Sequence, residues 1–184
     1  MTKLLVLMTI ISINLSAFAQ NELITRSAYA KIFSTTVIED IEAENYKIVS
    51  KLNKETGEFI VSVPVQSFSF EKALMQKHFN QPNYMDSQKF PKIKFKGNID
   101  DLNQVDFTKD GKYEVTISGD LTIRDVTKSV TEKGTIVVKE GKVSSNSVFI
   151  VKNIYQYGIG RPPMKSKKDA IAEDIKVTFK AKYE

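Results

Sequence analysis

From Lys112 to Ile123 the chain alternates. Tyr113, Val115, Ile117, Leu121 and Ile123 hold the odd positions, with Gly119 among them, and Lys112, Glu114, Thr116, Ser118, Asp120 and Thr122 hold the even ones. Successive side chains of a strand point to opposite faces, so this run predicts a strand with one dry face. Arg124, Asp125, Val126 and Thr127 interrupt the alternation, and a run from Lys128 to Lys139 then places Val130, Ile136 and Val138 on one face. The stretch reads as a strand, a short turn and a returning strand.

The same period recurs along the chain. Leu23 to Phe33 is rich in β-branched and aromatic residues and predicts a first strand or pair of strands, with the acidic run Glu39 to Glu44 as a connection. Tyr46, Ile48 and Leu52 alternate with polar residues, Asn53 to Gly57 offers a turn, and Phe59, Val61, Val63 and Val65 alternate beyond it, which is the pattern of an antiparallel hairpin. Pro64 lacks a backbone donor, so that strand ends or lies at an edge near it. Ile93, Phe95 and Ile99 mark a further strand, and Ile175 to Tyr183 the last, with Val177, Phe179 and Ala181 inward. Gly-containing turns are expected at Lys109–Lys112 and Lys139–Lys142.

One segment has helical spacing. Ser69 can cap a helix whose first turn holds Glu71; Leu74, Met75, His78 and Phe79 share one face, and Asn80 and Pro82 stop it. About eight strands joined by short turns imply an all-β domain, and a sheet of that size must protect its edges, most simply by closing into a single antiparallel up-and-down barrel. The long irregular segment Asn153 to Glu173, with Gly158, Gly160, Pro162 and Pro163, is a candidate rim or lid.

Ile93, Phe95, Val115, Ile117, Leu121, Ile123, Val177 and Phe179 all fall on inward faces. At about eight strands a barrel interior either fills with side chains or holds one small apolar ligand, and periodicity alone leaves both open. Gly97, Gly119 and Ala181 on the same faces leave room that a filled core would not need. The walls of such a barrel are expected to be hydrogen-bonded throughout, so a ligand must enter through an end. The helix (Leu74, Met75, Phe79) and the late loop (Ile154, Tyr155, Tyr157) are then expected at one shared mouth.

Composition narrows the chemistry. Lys and Arg exceed Asp and Glu by 27 to 22 in the full chain, and the charges are spread in the manner of solvated strand faces. Nucleic-acid binding calls for clustering, which is weak here and confined to Lys165, Lys167 and Lys168. With Arg161, these are candidates for contact with an anionic headgroup or a membrane surface, chiefly Arg161, Lys165 and Lys168. Lys3, the apolar run Leu4 to Leu15 and Ala17-Phe18-Ala19 predict a signal peptide over residues 1–19, cleaved near Ala19, and a mature domain over 20–184 that is periplasmic or secreted.

There is no cysteine, which excludes disulfides, thiol catalysis, Cys-ligated metal and a lipid-anchored N-terminal Cys. His78 is the only histidine, and it lies on the apolar side of the helix, so neither a Ser-His-Asp triad nor a zinc site is indicated. Gly158-x-Gly160 opens no helix and reads as a turn rather than a phosphate cradle. The acidic pairs Glu39-Asp40, Asp100-Asp101 and Glu173-Asp174 sit in or beside connections and read as solvated. No cofactor and no catalytic residue is indicated.

GDLTIRDVTKSV, from Gly119 to Val130, resembles the hairpin motif of the YceI-like family, with Asp125 where Gly is commoner and Ser129 where Pro is common. Tyr84-Met85-Asp86 and Phe90-Pro91-Lys92-Ile93-Lys94-Phe95 upstream, and Tyr157-Gly158-Ile159 downstream, resemble that family's other segments in the same order. The family's Arg-Asp pair before the helix is replaced by Phe70 and Glu71. This resemblance covers the mature chain and implies an exported, lipocalin-like barrel that holds a polyisoprenoid or similar apolar lipid. Its ligand-binding residues would be Leu74, Phe79, Phe90, Ile93, Phe95, Val115, Ile117, Leu121, Ile123, Tyr157, Val177 and Phe179. Storage, transport or sequestration of the lipid is the implied role. An enzyme or stress factor using the same cavity, and a packed interaction module acting through its loops, are the readings from other classes.

The register of the central strand is testable directly. Leu121→Asp, which puts an unpaired carboxylate on the dry face, is expected to destabilise the domain by about 3 kcal/mol or more, whereas Asp120→Asn on the opposite face is mild unless Asp120 holds the Arg124 turn. Urea denaturation of both variants decides it, and equal midpoints would mean that the faces are reversed.

Overall fold

The structure, a computed structural model, describes residues 21–35, 39–160 and 171–183. The expected signal peptide over residues 1–19 and the cations Arg161, Lys165 and Lys168 lie outside these. The strands are β1 (Glu22–Thr35), β2 (Asp40–Asn53), β3 (Glu58–Pro64), β4 (Ser69–Phe70), β5 (Lys92–Ile99), β6 (Gly111–Ile123), β7 (Val126–Lys139), β8 (Lys142–Val151) and β9 (Ile175–Lys182), with one helix, α1 (Ala73–Phe79). Every pairing is antiparallel and joins β1, β9, β8, β7, β6, β5, β3 and β2 in turn, and β1 also pairs with β2. The result is a closed eight-stranded up-and-down barrel, with the two-residue β4 outside the ring, on β2.

The acidic run Glu39 to Glu44 is not a connection, as its charge suggested. From Asp40 it is the start of β2, with Asp40 and Glu42 turned to solvent while Ala43 and Asn45 are buried, so the acids occupy the wet parity of an ordinary strand. Within β2 the register shifts between Asn45 and Ile48. That bulge turns Tyr46 outward, 60% exposed, although Ile48 is fully buried. Tyr46 therefore does not continue the Ile48–Leu52 face.

The helix is shorter than Glu71 to Asn80, and Ser69 does not cap it. Ser69 and Phe70 pair with Glu44 and Ala43 of β2, and the helix begins after Lys72 with no side-chain cap. The Gln76 amide instead ties the entry, accepting from the Phe70 N–H at 3.2 Å and donating to the Phe68 carbonyl at 2.7 Å. The central turn is tighter than the sequence suggested: Ile123 pairs with Val126, leaving only Arg124 and Asp125 outside the ladder. Asp120 is not part of that turn; it accepts from the Ser129 hydroxyl at 2.8 Å across the hairpin.

The two ends of the barrel differ. At the end that carries the Asn53–Gly57 and Glu140–Gly141 turns, Ile48, Leu52, Val105, Ile136, Val138 and Tyr183 belong to one packed cluster. The Tyr183 phenol is buried there within reach of the Ser50 and Ser145 hydroxyls at 2.9 and 3.2 Å, and burial pushes its pKa up. A second cluster at the opposite end gathers Val65, Met85, Leu121, Ile123, Ile154, Tyr157 and Ile159 from the connecting segments and the strand ends.

Gly97 and Gly119 face each other across β5 and β6. A Cβ on Gly97 would lie 2.3 Å from the Ser118 carbonyl oxygen, and one on Gly119 2.4 Å from the Gly97 Cα. These glycines permit a close backbone approach; they do not leave room for a ligand. Ala181 does not either, since it is buried in the packed cluster.

The wall is not hydrogen-bonded throughout. β7 and β8 pair only from Thr135↔Asn146 to Lys139↔Lys142, whereas β6 accompanies β7 to Val126 and β9 accompanies β8 to Val151. Toward the second end, β7 and β8 therefore separate, and the Ser147 hydroxyl donating to the Lys133 carbonyl at 2.6 Å stands at the point of divergence. A similar gap between β2 and β3 is occupied by chain: β4 pairs with β2, and buried Asn45 donates to the Pro64 carbonyl at 2.9 Å. Among the described residues nothing pairs in the same way between β7 and β8.

Gly97→Ala and Gly119→Ala are each expected to destabilise the barrel by about 3 kcal/mol, because the clash is with backbone that cannot move without parting β5 from β6. Gly134→Ala, whose Cβ would meet its nearest neighbour at 3.3 Å, is expected to change stability by less than about 1 kcal/mol. Equilibrium denaturation of the three variants checks the contrast, and equal midpoints would contradict the close approach.

Candidate ligand-binding cavity

Between the two end clusters the barrel encloses a cavity of about 640 Å³, within the range of small-molecule sites. Its floor is aromatic. The Phe59 ring stands edge-on to Phe95 and Phe179, with centroids 6.4 and 6.1 Å apart. Ile93, Ile117, Leu121, Ile123, Phe149 and Val177 line the walls above, each from the inward parity of its strand. Closure explains why these side chains do not meet in the middle: hydrogen bonding fixes the circumference, and a side chain reaches only so far toward the axis.

Among the described residues two connections contribute most of the mouth, and Ser34 and Glu39 beside the β1–β2 connection also line the cavity. From the segment after β3, Phe68, Phe70, Met75, His78, Phe79 and Tyr84 reach the cavity; from the late loop, Ile154, Ile159 and Ile171. Phe79 is clamped by Phe68 and Phe70, with ring centroids 5.5 and 4.9 Å away. The two connections touch, since the Gly160 N–H donates to the Asn83 carbonyl at 2.9 Å. The helix and the late loop thus share one end of the barrel. The base of the loop is fastened by the Asn153 N–H to Asp174 at 2.9 Å and by the Ile154 N–H to the Glu173 carbonyl at 2.8 Å.

Of the residues that the sequence nominated, Phe79, Ile93, Phe95, Ile117, Leu121, Ile123, Val177 and Phe179 line the cavity. Four do not. Leu74 is 62% exposed, because the short helix turns Met75 and Phe79 inward and leaves Leu74 on its outer side. Val115 is buried too deep, within the packed end. Tyr157 is buried in the cluster under the late loop, where burial raises its phenol pKa. Phe90 lies flanked by Lys89 and Arg124, 5.0 and 5.2 Å from its ring centre.

The structure adds residues that the sequence reading passed over. Phe149 and Val151 come from β8, the strand that follows the Lys139–Lys142 turn. Glu132 is the more consequential. It shares the parity of Val130, Gly134 and Ile136, so the alternation that placed Val130 inward also placed this carboxylate inward. Burial raises its pKa, and Lys152 opposes that shift.

Arg124 is a second omission. It adopts φ 56°, a left-handed conformation that is strained for a residue with a Cβ. Its guanidinium donates to the Tyr84 carbonyl at 3.0 Å and to the Gly158 carbonyl, and it lies 5.2 Å from the centre of the Phe90 ring. One side chain from the central hairpin turn thus fastens both connections of the mouth. Its place at the tip of GDLTIR was visible in the sequence; the partners, distant along the chain, were not. Among the described residues no group of three or more His, Cys, Asp or Glu side chains is arranged to hold a metal ion.

Residues 22–183 match the family model of the YceI-like domain. No curated protein sequence matches. Three solved structures share the architecture at low identity. A polyisoprenoid binding domain from Saccharophagus degradans aligns with a TM-score of 0.74 at 10% identity, over 89% of this chain and 98% of that one. BcnA of Burkholderia cenocepacia aligns with a TM-score of 0.66 at 15% identity, over 83% and 94% of the two chains. The Campylobacter jejuni YceI protein gives 0.52 at 15% identity over 75% and 81%. These likenesses bear on the fold.

Arg124→Ala is expected to free both mouth segments together. Amide exchange should speed up by about tenfold across residues 84–90 and 154–160 while the packed end keeps its protection, and global stability should fall by about 1–2 kcal/mol. Arg124→Lys should not rescue the mouth, because a compact ammonium lacks the planar guanidinium that holds both carbonyls while lying against the Phe90 ring. Unchanged exchange in Arg124→Ala would show that the mouth is held by packing alone.

Proposed function

The chain belongs to the YceI-like domain family, and we propose that it is an exported protein whose barrel holds the apolar chain of a polyisoprenoid or similar lipid. The observation that carries this reading is the cavity of about 640 Å³, lined chiefly by Ile, Phe and Val side chains and covered at one end by the helix and the late loop. Apolar surface of that kind does not stay empty at equilibrium when a hydrocarbon chain is available. Each CH₂ withdrawn from water contributes about 0.8 kcal/mol, so a chain of isoprene units gains affinity without any strong polar contact. The Saccharophagus degradans domain of similar architecture is a polyisoprenoid binding domain, and the same ligand class suits this interior.

The role is storage, transport or sequestration of that lipid rather than its chemical conversion. Export rests on Lys3, the apolar run Leu4 to Leu15 and the small-x-small Ala17-Phe18-Ala19 before Gln20. It puts the domain in the periplasm or outside the cell, where a free isoprenoid chain would otherwise have to stay in a membrane. Transient contact with an anionic bilayer would be helped by Arg161, Lys165 and Lys168 at roughly 1 kcal/mol per charge near the surface.

Native mass spectrometry of the purified protein, followed by organic extraction and identification of what is released, tests the proposal. A stoichiometric apolar molecule that leaves with solvent is the expected result. A protein that is ligand-free as isolated and takes up no prenol or fatty chain when these are supplied would overturn it.

A further inference from the structure

The gap between β7 and β8 and the carboxylate beside it are features that a container for hydrocarbon does not need. Glu132 stands on the unpaired part of β7, opposite Ile117 of β6, on a face otherwise made of Val130, Gly134 and Ile136. Among the described residues its carboxylate has neither a hydrogen bond nor an ion pair; Lys152, beyond the end of β8, acts on it only through its field. A carboxylate on an apolar wall stays solvated while the cavity is open to water. Once a chain fills the space, it loses that water unless the ligand replaces it, and a buried unpaired charge is strongly unfavourable. A ligand with a donor at the right depth removes that penalty, whereas an anionic head adds repulsion to it.

Resting on the lipid-binding reading above, we propose that Glu132 anchors the polar end of the bound molecule at the β7–β8 gap. The site takes a head that carries a hydrogen-bond donor, a hydroxyl, primary amide or ammonium group, in preference to a phosphate or carboxylate. Where β7 and β8 part, their facing strand edges also lack each other's N–H and C=O groups as partners, so the head meets backbone donors and acceptors there rather than hydrocarbon. The chain then lies between this gap and the aromatic floor at Phe59. Lys133, exposed yet also lining the cavity beside Glu132, and the exposed Lys152 supply the opposing outcome, an anionic head held at the same gap.

Three probes with one geranylgeranyl chain, the alcohol, the amine and the monophosphate, separate these outcomes when their affinities are measured by displacement of a fluorescent fatty chain. The wild type is expected to bind the alcohol and the amine about tenfold more tightly than the phosphate, the range of a hydrogen bond to a charged group. Glu132→Leu, an apolar residue on an apolar face, should keep the fold by circular dichroism and abolish that preference. Glu132→Gln should retain the alcohol and lose the advantage of the amine. A phosphate that binds most tightly, or the same order of affinities in wild type and Glu132→Leu, overturns the anchor while leaving the cavity reading intact. If none of the three probes binds, the cavity reading itself falls, and the anchor falls with it.

Discussion

Ring closure is the constraint on which the rest of this structure depends. β1 pairs with β2 along its length and with β9 through Tyr29–Phe33, so the first and last strands meet and the sheet has no outer edge there. The ladder sets the circumference, and the circumference sets how far inward-facing side chains stand from one another. An open sheet carrying the same residues would bring a second layer onto its dry face and fill the space. Closure instead leaves the centre for something other than protein, provided that one end is sealed.

Sealing is done asymmetrically. At one end, side chains from several strands and the buried Tyr183 phenol pack together across the barrel. At the other, the strands end in segments that arch over the opening above a second buried cluster, and among the described residues Arg124 to two carbonyls, a Gly160–Asn83 hydrogen bond and the Phe68–Phe79–Phe70 stack join them. Bonds of modest individual strength between connecting segments allow local opening without global unfolding. The division of labour follows: the packed end supplies stability, and in the proposed lipid-binding role the mouth supplies access.

The barrel, its strand parity and most of its inner wall were legible in the sequence because period-2 alternation reports directly which residues share a face. Ile117, Leu121, Ile123, Val177 and Phe179 line the cavity on that ground alone. The misreadings have local causes. Acids on the wet parity made the start of β2 look like a loop, and a bulge reversed Tyr46. Gly97 and Gly119 were counted as space, although their reason is backbone contact across β5 and β6. Depth along the barrel axis is not encoded in alternation at all, which is why Val115 and Ile117 looked equivalent when one is packed and the other faces the cavity. Long-range partners such as those of Arg124 depend on how the mouth segments fold back, and no local period carries that information.

The central claim is that affinity resides in hydrocarbon burial inside a space of fixed length. The most direct measurement is isothermal titration of a prenol series in which only the number of isoprene units changes. Affinity is expected to rise with each added unit, by up to about 0.8 kcal/mol per buried CH₂, and to level off once the chain extends from the aromatic floor to the mouth. Affinity independent of chain length, from the shortest prenol to the longest, would contradict the account.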